Sequence, residues 1–259
     1  MELGIEGRKA IVCASSQGLG MACAEALARE GAHVFINGRD PAKLQAAAAE
    51  LAQRTGAQVT PVAADLLSDE GRGRLLAACP RPDILVNNNA GPPPGELEEW
   101  TPQVWRLALE SNMLSAIFLI QSVVRGMQER KFGRIVNITS AMVKSPRPQM
   151  GLSTAARTGL TAFAKALSLD VVKDNVTINQ LLPERIDSPR QVQMTRRIMD
   201  KDGISWDEAR ARITKTVAAG RFGTLREFGD ACAFLCSAQA GFISGQNLQV
   251  DGGSYPGLI

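Results

Sequence analysis

Short apolar runs alternate along this chain with longer stretches in which apolar residues return every three or four positions. The runs at 10–13, 33–37, 59–63, 83–87, 133–138, 175–182 and 247–250 predict seven strands. Helical periodicity begins at Gly18 and recurs at 41–54, in a short segment before residue 83, and at 102–130, 151–173 and 225–237. The run at 83–87 is nearly all apolar, as in a parallel strand buried on both faces. Strands and helices alternate throughout with no linker or repeat, which predicts one doubly wound α/β domain over 1–259.

The stretch RKAIVCASSQGLG carries the first strand through a short turn, Ala14-Ser15-Ser16-Gln17, into a helix that begins Gly18-Leu19-Gly20. The first N–H groups of a helix have no internal partner and lie at the positive end of its dipole, so such a turn suits a pyrophosphate. Glycine permits the close backbone approach this requires; Ala14 stands where a third spaced glycine is expected and narrows the turn by a methyl group. With a strand on either side of the helix, the unit points to a dinucleotide. The second strand ends Asn37-Gly38-Arg39-Asp40. An acidic residue there bonds a ribose 2′-hydroxyl and an arginine accommodates a 2′-phosphate, so Arg39 predicts NADP while Asp40 leaves NAD open.

Polar residues collect where the other strands end, the edge at which open α/β sheets bind ligands. They are Asp65-Leu66, Asn88 with Ala90 and Gly91 in NNNAG, Thr139-Ser140, and Pro183-Glu184 followed by Ile186 and Ser188. Asn112 interrupts the helical pattern at 102–130, a poor place for asparagine unless it has a task. Residues 188–222 are charge-rich and mostly helical, which predicts a lid over a substrate.

Composition narrows the function classes. The net charge of +3 comes from interleaved acids and bases, without the basic stripe of a nucleic-acid binder. No apolar run approaches ~18 residues, which predicts no membrane span. The opening MELGIEGRKA lacks a leader pattern, so a cytoplasmic protein is expected. The five cysteines lack paired metal spacing, and Cys232 and Cys236 sit in the apolar stretch ACAFLC, so buried free thiols and no metal site are expected. With His33 as the one histidine, a His-based triad is not expected.

The turn 14–20, Asp65, Asn87-Asn88 with Ala90-Gly91, Asn112, Ser140, Asn179 with Pro183, and the ending RFGTLREFGDACAFLCSAQAGFISGQNLQVDGG together resemble the short-chain dehydrogenase/reductases, in particular the β-ketoacyl-acyl-carrier-protein reductases, over essentially the whole chain. The resemblance implies a Rossmann fold with a seven-stranded parallel sheet. It further implies NADP-dependent hydride transfer at a small-molecule carbonyl or alcohol, and a homotetramer or homodimer. The family works with an asparagine that orders a relay water, a serine that bonds the substrate oxygen, a tyrosine that exchanges the proton, and a lysine that tunes the tyrosine and holds the nicotinamide ribose. Asn112 and Ser140 match this pattern.

In MGLSTAARTGLTAFAKAL the apolar pattern puts Ser153 at the tyrosine position and Arg157 at the lysine position, one helical turn apart and on one face. A phenol titrates near ~10 and can be tuned; an aliphatic hydroxyl is far weaker, and a guanidinium does not relay protons, so proton transfer is the altered step. Arg157 can still hold ribose hydroxyls and a developing oxyanion. Glu184 replaces the usual glycine after the proline, Ser188 the threonine that would bond the carboxamide, and Asn89 either replaces a small residue of the turn or marks a one-residue shift. Tyr255, the only tyrosine, reads as a tail residue and Lys144 as a solvated loop lysine. The residues thus admit an NADP-dependent, 3-oxoacyl reductase-like enzyme with an atypical site, a non-catalytic or sensory dinucleotide-binding protein, or a scaffold that binds no dinucleotide.

Overall fold

The computed structural model describes residues 2–258. The strands β1 (Lys9–Val12), β2 (His33–Gly38), β3 (Val59–Ala63), β4 (Ile84–Asn87), β5 (Gly133–Ile138), β6 (Val176–Pro183) and β7 (Asn247–Val250) form one sheet in the order β3-β2-β1-β4-β5-β6-β7. All six neighbouring pairs are parallel. Every residue of β4 and β5 is buried, because helices cover both faces of a parallel sheet. On one face lie α1 (Gly18–Arg29), α2 (Pro41–Thr55) and α9 (Leu225–Cys236); on the other lie α3 (Asp69–Ala78), α5 (Ser115–Glu129) and α6 (Gly151–Val171). The strand order reverses between β1 and β4, which opens a crevice at their carboxyl ends.

Local chemistry sets the element ends. Asp40 caps α2 by accepting the Lys43 N–H, Pro41 supplies the first-turn φ, and Gly56 closes the helix in the left-handed region. At α9 a capping box joins Thr224 and Glu227.

Two sequence expectations change here. The stretch predicted as one helix at 102–130 is α4 (Pro102–Leu109), a π-helical turn (Glu110–Leu114) and α5. The expectation of no membrane-length apolar stretch is corrected: Pro102–Glu129 has an 18-residue window of mean hydropathy 1.6, enough to cross a bilayer by length and composition. In this fold its inner face, Leu119, Ile120, Val123 and Met127, packs in the core shared with Leu85, Ile135 and Leu160. The charge-rich region forms α7 (Pro189–Asp202) and α8 (Trp206–Thr214). All five cysteines are buried with free thiols.

Candidate active site

The turn after β1 is stitched to its neighbours from three sides. Buried Ser15 donates its hydroxyl to the Val12 carbonyl at 2.6 Å and accepts the Asn37 N–H at 2.9 Å. Asn37 Oδ1 accepts the Ala14 N–H at 3.3 Å, and Asn88 Nδ2 donates to the Ala14 carbonyl at 3.1 Å. Ala14 lies at φ 44°, the left-handed region where glycine is expected, and these bonds hold it there. Gly18 follows at φ 61°.

At Gly20 a Cβ would fall 2.5 Å from the Ala14 carbonyl oxygen and 2.9 Å from both Asn88 Nδ2 and Ser15 Cα, so only glycine lets α1 start this close to the turn. Gln17 is extended at the N-cap and makes no side-chain cap, leaving the first-turn N–H groups directed at the crevice. Its amide oxygen instead accepts from Lys43 Nζ. Lys43 thereby joins exposed Arg39 at the end of β2, a second cation that sequence reading missed although it lies four residues further on. At the end of β3, Asp65 accepts the Leu67 N–H at 3.1 Å while the Leu66 side chain turns into the core.

The end of β4 reaches across the sheet. Asn87 Nδ2 donates to Asn137 Oδ1 at 2.8 Å. Asn89 Nδ2 donates to the Ser111 carbonyl at 3.0 Å, tying the NNNAG loop to the π-helical turn. That turn buries Asn112, whose Nδ2 donates to Ser111 Oγ at 2.7 Å and whose Oδ1 has no protein partner. Asn112, Asn89 and Arg157 line a cavity of about 20 Å³, room for a single water.

Ser153 and Arg157 share the inner face of α6, both buried, and Arg157 Nε donates to Ser153 Oγ at 3.1 Å. Arg157 Nη1 donates to the Ile138 carbonyl at 2.7 Å and Nη2 to the Asn89 carbonyl at 3.4 Å. Burial pulls the guanidinium down to about 10, and Arg190 adds to the shift; it stays charged at neutral pH. Ser140, two residues past Ile138, accepts the Met142 N–H at 3.2 Å, which leaves its own hydrogen to donate. Asn112, Ser140, Ser153 and Arg157, named from the sequence, thus come from three elements around the ends of β4 and β5.

Glu184 lies at the end of β6, paired with Arg147 at 2.7 Å and near Arg185 Nε at 3.8 Å, so its carboxylate is neutralised. Pro183 pairs with Val250 in the sheet, and Ile186 bridges to Gly223 with its side chain in the core. Ser188 caps α7 by accepting the Gln191 N–H at 3.4 Å. Arg190, next on α7, donates to the Pro92 carbonyl at 3.1 Å. Ala90 is exposed and Gly91 half-buried on the same loop. The tail brings Tyr255 under Lys144, with Nζ 5.3 Å from the ring centroid.

The family described as Enoyl-(Acyl carrier protein) reductase matches residues 13–255. The chain is 31% identical over 253 residues to the 3-oxoacyl-(acyl-carrier-protein) reductase FabG of Escherichia coli (strain K12), covering 98% of this chain and 99% of that protein. It is 29% identical over 256 residues to the NADPH-dependent reductase BacG of Bacillus subtilis (strain 168), covering 97% and 99%. A solved structure of L-sorbose reductase from Gluconobacter frateurii, complexed with NADPH and L-sorbose, superposes with a TM-score of 0.94 at 29% identity over 100% of both chains.

Proposed function

The chain belongs to the short-chain dehydrogenase/reductase family, and we propose that it is an NADP-dependent oxidoreductase acting on a carbonyl or hydroxyl substrate of the 3-oxoacyl type. The observation that carries this reading is the turn after β1, where Gly20 admits the backbone to within a clash of any side chain and α1 starts uncapped. Residues 14–20 fit the diphosphate of a dinucleotide, Arg39 its 2′-phosphate, and Asp65 and Leu66 the adenine end. Asn88, Ala90 and Gly91 line the middle of the crevice, and Pro183, Glu184, Ile186 and Ser188 lie at the nicotinamide end. When bound, NADPH supplies the hydride.

Ser140 donates its free hydrogen to the substrate oxygen, and Arg157 offers a fixed positive charge to the oxyanion that develops there. Ser153 Oγ accepts from Arg157 Nε, so its own proton points elsewhere and can join the bond to the substrate. Asn112 Oδ1, unpartnered at the water-sized cavity, suits a water that restores the proton. A positioned general acid typically contributes ~10² to 10⁴ in rate, so turnover without the tyrosine is slow but positioned.

Residues 188–222 serve as the lid; a Cβ on Gly18 would meet Pro189 Cδ at 3.6 Å, which supports α7 closing on the phosphate turn. Exposed Leu107 and Phe118 on the α4–α5 stretch, Leu169 on α6 and Phe242 near the C-terminus support assembly into a homotetramer or homodimer. A cytoplasmic location completes the reading. Calorimetric titration with NADPH and NADH, followed by NADPH oxidation over a panel of carbonyl compounds, tests it. Tight NADPH binding and stereospecific oxidation lost in Ser140→Ala are expected; no binding of either nucleotide overturns the reading.

A further inference from the structure

We propose that Lys43 is a second ligand of the cofactor's 2′-phosphate, held in place by Gln17, and that its charge sets the preference for NADPH over NADH. This rests on the NADP reading above, in which Arg39 alone meets that group.

The end of β2 offers a ribose no free carboxylate. At position 38, where an acid would bond ribose hydroxyls, stands glycine, and a Cβ there would be crowded by Leu44 Cδ1 at 3.3 Å and Ser16 Cβ at 3.4 Å. Asp40, two residues on, is the N-cap of α2, and its Oδ1 accepts the Lys43 N–H at 3.1 Å. The acid that leaves NAD open in the sequence is thus engaged with its own helix.

Leu44 is buried in the core, and neighbouring Lys43 lies on the flank of α2 that meets the phosphate turn, where its Nζ donates to Gln17 Oε1. Gln17 is the extended N-cap residue of α1 and makes no cap with its side chain, which frees its amide for Lys43. That acceptor is neutral, and an ammonium has two further hydrogens to give. Among the described residues neither Lys43 nor Arg39 forms an ion pair. Glu25, which shares a groove with Gln17, is taken by Arg29 and Arg54.

A phosphate monoester carries about −1.5 to −2 at neutral pH. Arg39 and Asp40 are adjacent and of opposite charge, so the excess of positive charge at this rim comes from Lys43. Both cations are exposed, as suits a dianion that keeps part of its water. NADH, with a hydroxyl at that place, gains nothing from the ammonium.

Calorimetric titration with NADPH, NADH and 2′,5′-ADP tests the assignment, the last isolating the phosphate from the nicotinamide. Lys43→Gln, at an exposed helix position, is expected to weaken NADPH and 2′,5′-ADP about 10-fold and leave NADH unchanged. Lys43→Arg is expected to restore binding to within a few fold. Gln17→Ala, which releases Lys43 without removing its charge, should weaken NADPH by only a few fold, and Arg39→Ala combined with Lys43→Gln should abolish the preference. Equal losses for NADPH and NADH in Lys43→Gln would reduce Lys43 to a staple between α2 and the turn and overturn the proposal, as would NADPH binding at the wild-type level. In both cases wild type still binds NADPH and the cofactor reading stands; a wild type that binds neither nucleotide overturns both.

Discussion

Gly20→Ala separates the cradle from ordinary helix energetics. Inside a helix, alanine is favoured over glycine by about 1 kcal/mol. Against this, the new methyl would stand 2.5 Å from the Ala14 carbonyl oxygen and 2.9 Å from Ser15 Cα, both backbone atoms that do not swing aside. Overpacking of this kind costs typically ~1 to 3 kcal/mol, so the net destabilisation is about 0 to 2 kcal/mol, a fall in Tm of up to several degrees for a domain of this size. Relief requires the turn and the start of α1 to move apart, the same atoms that would face the diphosphate. NADPH affinity is therefore expected to fall more than tenfold, out of proportion to the modest stability change.

Gly56→Ala, at the far end of α2, is the control: nothing lies within 4 Å of its Cβ, and the burden there is only the left-handed φ of 70°, roughly 1 to 2 kcal/mol. It is expected to lower Tm while leaving NADPH affinity within a few fold. Thermal unfolding and calorimetric titration measure both quantities. A Gly20→Ala protein that binds NADPH like wild type would refute the reasoning.

Arg39→Ala should weaken NADPH binding by about 10- to 100-fold and leave NADH unchanged, because only the former carries the 2′-phosphate; equal losses for both nucleotides would remove Arg39 from that role. Ser140→Ala should lower kcat/KM by roughly 10² with the NADPH Kd unchanged, read by steady-state kinetics beside titration. Asn89→Ala leaves the Ser111 carbonyl without its 3.0 Å donor and should destabilise the fold by ~1 to 3 kcal/mol in denaturant unfolding; an unchanged midpoint would mean that the tie to the π-helical turn contributes nothing. Glu227 is held at about 2 by Arg221 and the Thr224 cap, below its unfolded value, so its contribution is complete above about pH 4.5 and lost as pH falls toward 2. Glu227→Gln should flatten the acid limb of the stability profile over that window, and superimposable limbs would contradict the assignment.

The sheet was legible because burial on both faces leaves parallel strands with few polar positions, as in Ile84–Asn87, and because glycine and proline mark the turns between them. The phosphate turn was legible for the same local reasons. What periodicity does not carry is a change of helical register: α4 and α5 read as one helix, and only buried Asn112 hinted at the π-helical turn between them. The same limit hid the partners of Arg157. A spacing of four residues places Ser153 on its face, but the Ile138 carbonyl comes from β5 and the Asn89 carbonyl from the loop after β4, 19 and 68 residues away. Ala14 was read as a narrowed turn; its left-handed φ follows from bonds to Asn37 and Asn88 that no local pattern encodes.

Those long-range partners join Asn89, Ser153 and Arg157, the positions that the sequence reading sets apart from the family pattern, into one arrangement. Asn89 gives its side chain to the Ser111 carbonyl and its own carbonyl to Arg157 Nη2. Arg157 gives Nη1 to the Ile138 carbonyl and Nε to Ser153 Oγ, which needs an acceptor as small as serine at that position. A lysine at 157 has a single ammonium centre on a flexible stem and would not present this planar fork to three acceptors at once. Introducing singly the residues that the family resemblance implies should therefore fail: Ser153→Tyr meets the guanidinium, and Arg157→Lys strands the Asn89 and Ile138 carbonyls. Only the two together, with Asn89 returned to a small residue, could recover a tyrosine-driven proton transfer. A triple variant no faster than the single ones would show that the cleft has been rebuilt around Arg157 beyond these positions.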